Sequence, residues 1–328
     1  MKYRTLGKTG FEISEVSLGT WQVGGRWGDP FSDENAEEII NRAIDLGVNF
    51  IDTADVYGGT RSEAAVARVV KTRSERVYVA TKCGRKINPH VNEGYTVEAL
   101  EGFVNDSLKN MGVETIDLIQ LHCPPTEVYY RPEIFALFDR LKQVGKIRNL
   151  GVSVEKVEEA IKAIEYPNVT TVQIIFNMFR HRPSELFFSL AEQRNIGIIV
   201  RVPLASGLLS GKMTRQTTFG PDDHRTFNRD GASFDKGETF SGVDFETGLQ
   251  AVDELKKLFP GDPILAIWAL RWVLMFDAVS CVIPGASKLA HIESNVTASD
   301  LPPLTDAQMA GVKAVYEKYI KDPVHYLW

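Results

Sequence analysis

Four polar residues stand where short apolar runs end. Asp52 follows Val48 to Ile51, Lys82 lies just past Val77 to Ala80, His122 follows Ile116 to Leu121, and Tyr57 comes five residues after Asp52. Singly, each has an ordinary reading: a helix cap, a snorkelling lysine, a loop imidazole, a packed aromatic. A carboxylate, an ammonium and an imidazole ending three successive strand candidates instead converge on one spot if those strands run parallel. A phenol with a pKa near 10 is a poor acid at neutral pH. An ammonium about 4 Å away, at an effective dielectric of ~20, stabilises its anion by roughly 4 kcal/mol. That is about three pKa units and predicts a Tyr57 poised near neutrality. Asp52 would hold Lys82 charged and oriented, and a neutral His122 would hydrogen-bond a carbonyl oxygen. The set reads as general-acid machinery for carbonyl reduction. The side chains supply no hydride, so a nicotinamide cofactor is required.

The elements that must position these residues follow from the hydrophobic pattern. Tyr3 to Gly7 and Phe11 to Ser14 flank Lys8-Thr9-Gly10 as a β-hairpin. Eight strand candidates then come at Val16 to Leu18, Val48 to Ile51, Val77 to Ala80, Ile116 to Leu121, Ile147 to Val152, Val172 to Ile175, Ile196 to Val202 and Val279 to Ile283. Helix patterns lie between them. One is capped by Asp33 and stopped by Gly47, one is capped by Thr96 and stopped by Gly112, and others span Glu63–Val70, Glu133–Gln143, Val154–Ile164, Glu185–Gln193 and Pro263–Phe276. Such alternation predicts an α/β fold with parallel strands, closed as a (β/α)8 barrel of one domain over residues 1–328. Met213 to Glu246 is long, polar and without period, which predicts a functional loop. Helices near Leu289–Thr297 and Thr305–Ile320 and a tail, Lys321–Trp328, follow the last strand.

Composition excludes several classes. The 328 residues carry 37 Lys+Arg against 43 Asp+Glu, a net charge of −6, without basic blocks, which argues against nucleic-acid or anionic-membrane partners. Cys83, Cys123 and Cys281 are odd in number and scattered, giving neither a disulfide framework nor a metal ribbon. Met1 to Thr5 lacks a signal-peptide apolar stretch, and Ile264 to Phe276 contains Arg271 and is too short to span a bilayer, so a cytoplasmic protein is expected. No metal is expected, since neither paired histidines nor an Asp-rich ligand spacing supports a barrel hydrolase.

No early Gly-x-Gly-x-x-Gly supports a Rossmann-type site. Flexible segments bearing a lysine come late instead, at Pro203 to Lys212 and Ile283 to Lys288, where barrels commonly bind phosphate. With Leu18-Gly19-Thr20-Trp21, Asn49 to Gly58, Val79 to Lys82, Ser107 to His122 and Gly151-Val152-Ser153, they make a set that resembles the aldo-keto reductases over nearly the whole chain. The late loop and the Pro-Leu-Ala-x-Gly-Leu-Leu-x-Gly-Lys string are most similar to the bacterial and channel-β-subunit branch.

The resemblance implies an NADP(H)-preferring oxidoreductase, with NADH also accommodated, acting on a small-molecule carbonyl or alcohol as a monomer or homo-oligomer. Tyr57 would be the proton donor, tuned by Lys82 and Asp52, with His122 orienting the carbonyl. Ser153 and Gln173 would hold the carboxamide; Leu204, Ser206, Gly207, Leu208 and Lys212 the pyrophosphate; Ser287, Lys288, His291 and Asn295 the adenosine 2′-phosphate and adenine. Thr20, Trp21, Asp52, Arg201, Pro203, Ile283 and Gly285 would complete that wall. Three positions depart from the family pattern: Val154 stands for a common Asn, Arg201-Val202 for an aromatic pair beside the nicotinamide, and His291 for Gln or Arg. A guanidinium at Arg201 would bias binding towards the reduced cofactor. Trp21, Trp27, Tyr57, His122, Tyr129 and Tyr130 are candidate substrate contacts, and His325, Tyr326 and Trp328 would reach the mouth or cover the wall. The different-class alternative is a cofactor-sensing regulatory subunit of the same fold.

Overall fold

A computed structural model describes residues 1–261 and 264–328. Strands β1 (Tyr3–Thr5) and β2 (Glu12–Ser14) pair antiparallel, Arg4 opposite Ile13, as the expected hairpin. Leu6 and Ile13 are fully buried in one cluster with Phe50, Ala80, Leu118 and Ile199. Phe11 stacks on Tyr78 at 4.2 Å, and Leu6 packs on Gly197, each the first residue of a later strand. The hairpin thus plugs the end of the barrel where strands begin and leaves the other end open.

Eight parallel strands follow: β3 (Leu18–Gly19), β4 (Phe50–Asp52), β5 (Tyr78–Cys83), β6 (Ile116–His122), β7 (Ile147–Ser153), β8 (Val169–Ile175), β9 (Gly197–Arg201) and β10 (Val279–Val282), each paired with the next. Between β10 and β3 the seam is closed by bridges, Val16 to Val282 and Gly19 to Gly285, with Ser17 N–H donating to Val282 O at 2.9 Å. A Cβ at Gly19 would fall 2.7 Å from the Ile283 carbonyl, so the seam needs glycine there. The expected (β/α)8 barrel is the observed one.

Helices α1 (Asp33–Asp45), α2 (Arg61–Val70), α3 (Val97–Met111), α4 (Pro132–Gln143), α5 (Val157–Ala163) and α6 (Phe187–Gln193) alternate with the strands. Thr96 caps α3 as its sequence predicts, accepting from Ala99 N–H at 3.1 Å. Asp33 does not cap α1; Ser32 does, and Asp33 instead holds Arg61 and Arg68 of α2. Helix α5 starts at Val157, later than the expected Val154, because Glu159 Oε2 accepts from the Glu155 and Lys156 backbone N–H groups and fixes the cap at Lys156. Of the helix expected over Pro263–Phe276, Pro263 lies outside the described residues, and α9 is Leu265–Val273. No described helix is long and apolar enough to cross a membrane.

The segment 213–246 is not featureless. It contains the short α7 (His224–Phe227) and ends in α8 (Phe245–Leu258), which the pattern had not suggested because Gly248 and Ala251 dilute its buried stripe of Leu249, Val252 and Leu255. Its stretch Gly237 to Ser241 is buried and lies over the open end. Asn177, just past β8, donates to Ser241 Oγ at 2.8 Å, and Ser206 Oγ is bonded to Glu238 O and Phe240 N. After β10 come α10 (Leu289–Val296), α11 (Asp306–Tyr319) and α12 (Lys321–Val324). The tail then runs under the loop. The Trp328 indole donates to Asp235 at 2.7 Å, stacks 4.2 Å from the Arg180 guanidinium, and fills a notch where a Cβ on Gly237 or Gly242 would come within 2.6 Å of it.

Candidate active site

Register brings the strand-end residues to common levels. Lys82 on β5 lies opposite Gln120 on β6, and His122, Ser153 and Gln173 are partners across β6, β7 and β8. Lys82 Nζ is 2.5 Å from Asp52 Oδ1 and 2.8 Å from Thr53 O, both buried. Asp52 Oδ2 accepts from Gln120 and Gln173 at 2.9 and 2.8 Å. Tyr57 hangs over this layer from a tight segment in which Gly58 has φ 56° and sits too close to Phe31 for any Cβ. Its hydroxyl is 3.5 Å from Lys82 Nζ.

The expected near-neutral Tyr57 is not what this arrangement produces. Burial raises the phenol above its ordinary value, the pull of Lys82 offsets only part of it, and Asp52 and Glu238 push the same way as burial. The hydroxyl faces a Lys82–Asp52 ion pair, not a free ammonium. For Lys82, burial opposes the charge, but Asp52 and Tyr57 outweigh it and hold the ammonium above its ordinary range. Burial drives His122 well below the usual imidazole range, reinforced by Arg85, Lys82 and Arg201, so its ring is neutral.

These groups open into a cavity of about 440 Å³. Of the residues singled out in the sequence, Thr20, Trp21, Trp27, Asp52, Tyr57, His122, Ser153, Gln173, Arg201, Pro203, Leu204, Ser206, Gly207, Lys212, Ile283, Gly285, Lys288, His291 and Asn295 line it. Ser287 sits at the rim, 3.4 Å from His291 Nδ1. Trp21 lies parallel to Tyr57 at 6.2 Å and edge-on to Trp27 at 5.3 Å, forming an aromatic wall with His224.

Several assignments need correction. Tyr129 is fully buried behind the wall, donating to Ser153 O at 3.3 Å, and Tyr130 faces outward beside Lys162. The Leu208 side chain is fully buried against Gly248, so it does not line the cavity. The Ser206 hydroxyl is committed to the overlying loop, and the Gln173 amide nitrogen to Asp52. His325 bonds Tyr316 on the barrel wall and Tyr326 is exposed, so neither reaches the mouth. Arg201 is no isolated cation: it lies 2.8 Å from Glu155 and 3.2 Å from Glu238, and Glu238 also pairs with Arg85 at 2.7 Å. Paired with Glu155 and sharing Glu238 with Arg85, Arg201 presents a weaker charge than the isolated cation that the reduced-cofactor bias assumes.

Sequence reasoning missed Arg85, Glu155 and Glu238. Arg85 and Glu155 lie three and two residues beyond Lys82 and Ser153, so extending each strand end by one turn of loop would have found them. Glu238 sits in the aperiodic loop and carried no signal. Cys123, Glu155 and Glu238 form the one group of metal-ligand type among the described residues, and the cation among them is Arg201 itself, 3.5 Å from Cys123 Sγ.

At the other end of the cavity Lys212 and Lys288 converge on His291. Burial lowers the imidazole, and the two ammoniums lower it further. Among the described residues neither lysine has a carboxylate partner. A cleft with a proton donor at one end and unneutralised cations at the other fits a nicotinamide dinucleotide: a redox ring by Tyr57 and phosphates by the lysines.

The description "Aldo/keto reductase family" matches residues 15–317. The aldo-keto reductase YhdN of Bacillus subtilis is 31% identical, covering 99% of this chain and 96% of that protein. The NADH-specific methylglyoxal reductase of Escherichia coli is 26% identical, covering 97% and 99%. Among solved structures, the glycerol dehydrogenase AKR11B4 from Gluconobacter oxydans superposes with a TM-score of 0.77 at 30% identity, covering 100% of this chain and 98% of that one. The holo form of AKR11C1 from Bacillus halodurans gives 0.75 at 25% identity, with 96% of each chain covered.

Proposed function

The chain belongs to the aldo/keto reductase family, and on that premise we propose that it reduces an aldehyde, ketone or sugar carbonyl with NADPH as the preferred cofactor. The observation that carries this reading is the cleft itself, which joins the Tyr57–Lys82–His122 end to the Lys212–Lys288 end. The cofactor supplies hydride to the carbonyl carbon when bound. Neutral His122 and the Tyr57 hydroxyl hold the carbonyl oxygen. Because burial keeps the phenol protonated, Tyr57 is loaded at neutral pH and gives up its proton only as negative charge develops on that oxygen. The Lys82–Asp52 pair then stabilises the phenolate until solvent returns a proton. Trp21 and Trp27 exclude water from the reacting face. Methylglyoxal and glycerol, named for two relatives, support a small oxygenated substrate.

Lys288, with the Ser287 hydroxyl beside it, supplies charge-assisted hydrogen bonds to a 2′-phosphate, while neutral His291 adds no charge. Steady-state turnover of aldehydes and sugars with both cofactors tests the reading. Turnover is expected, fastest with NADPH; a folded protein that binds cofactor yet reduces none of the panel removes it. Lys288→Ala should lower kcat/KM for NADPH about tenfold more than for NADH. Equal losses would show that Lys288 does not read the phosphate.

A further inference from the structure

Arg85 and Arg201 come from the ends of different strands, β5 and β9, yet their guanidiniums meet on one carboxylate. Arg85 donates to Glu238 Oε1 at 2.7 Å, and Arg201 Nη1 lies 3.2 Å from Glu238 Oε2. Each oxygen therefore has its own guanidinium, the geometry by which two arginines hold a bound carboxylate. This carboxylate belongs to the protein and arrives from the overlying loop, held by Ser206 at its own main chain and by Trp328 on its outer side. Arg201 and Glu238 both reach the cavity wall beside Tyr57 and His122. Arg201 also holds Glu155, whose carboxyl burial pushes up, whereas Glu238, despite burial, is pulled down by Arg85 and Arg201. Near neutral pH Glu238 is thus the anion the two arginines share.

We propose that Glu238 fills a two-arginine carboxylate site at the reacting end of the cleft and so makes the enzyme select uncharged carbonyl substrates over carboxylate-bearing ones. The inference rests on the carbonyl-reductase reading for its substrate, but the occupied site can be tested apart from it. With Glu238 in place, a substrate carboxylate finds the guanidinium donors taken and a like charge beside it. With the charge removed, Arg201, which lines the cleft, keeps only Glu155 as a carboxylate partner and Arg85 beside it loses its own, so the two guanidiniums can accept an anion.

The test uses the full chain, with succinate as the binding probe and butanal and succinic semialdehyde as a matched neutral and anionic pair. In Glu238→Gln, succinate should bind at least tenfold more tightly than in the wild type by calorimetry, and the kcat/KM ratio of succinic semialdehyde to butanal should rise at least tenfold. Adding Arg85→Met to Glu238→Gln should return succinate binding to the wild-type level. A folded Glu238→Gln protein with unchanged succinate affinity overturns the inference. So does wild-type protein that binds succinate with submillimolar affinity in competition with butanal, a measurement that needs no variant to fold. If neither aldehyde is reduced by any form while succinate binding behaves as expected, the reductase reading fails and the occupied site stands.

Discussion

Two charged clusters share the mouth of this barrel and are built in opposite ways. Lys82, Asp52, Gln120 and Gln173 all sit on strands, in fixed register, with their bonds to one another made inside the sheet. Arg201, Arg85, Glu155 and Glu238 instead tie strand ends and loops together, and one carboxylate comes from a segment that folds back over the opening. The first cluster can hold its geometry whatever the loop does. The second is complete only while the loop is down. Chemistry placed on the sheet and closure placed on ion pairs should therefore respond differently to substitution: the first in rate, the second in stability and selectivity.

The largest expected effect is on rate. Tyr57→Phe should lower carbonyl reduction by about 10²–10⁴-fold while leaving the cofactor Kd within a few-fold, because the hydroxyl matters only as the oxygen takes up charge. Lys82→Met should be similarly severe. Normal turnover in a folded Tyr57→Phe protein would remove the strand cluster from the chemistry. In the loop cluster, Arg201→Met leaves Glu155 and Glu238 facing each other without a shared cation. Breaking a buried pair in this way costs about 3–5 kcal/mol, read from urea unfolding. A loss below about 1 kcal/mol, the worth of a surface ion pair, would mean that the cluster does not hold the loop.

A smaller effect sharpens the contrast on the sheet side. Asp55, two residues before Tyr57, is fully buried, and neither carboxylate oxygen has a hydrogen-bond partner among the described residues; Lys86 is 3.8 Å away. Burial pushes its carboxyl up to about 7, against the pull of Lys86 and with Glu63 adding to the rise. The folded state then binds more protons than the unfolded one between about pH 4 and 7, so stability falls as pH rises through that window. Asp55→Asn removes the penalty. It should raise unfolding free energy at pH 8 by about 2–4 kcal/mol relative to wild type, and by nothing near pH 4. A gain that is the same at both values would show that Asp55 does not titrate in this window.

The same division explains what could be read from sequence. Eight apolar runs with polar ends were enough to place Asp52, Lys82 and His122 together, because parallel pairing puts strand ends at one level whatever the loops do. What failed was electrostatics and depth. The expectation for Tyr57 counted the Lys82 charge but neither the opposing field of Asp52, which the same reading paired with Lys82, nor the burial that opposes ionisation. Tyr129 and Leu208 lie in segments that reach the mouth, yet their side chains turn into the wall, and spacing alone does not tell the two faces of a short turn apart. Glu238 lies 37 residues past Arg201, the Glu238 residue number less that of its partner, and that separation in a loop without period has no sequence signature.

The indole of Trp328 seated against Gly237 and Gly242 has a consequence for motion. Neither glycine can acquire a side chain while the ring is there, and the ring cannot leave without exposing the Arg180 guanidinium beneath it. Residues 235–242 and the tail should therefore open as one cooperative unit, with amide hydrogens in the two stretches exchanging at a common opening free energy though some 90 residues of chain separate them. The loop's breathing is then set as much from the outer face of the barrel as from the ligands in its mouth.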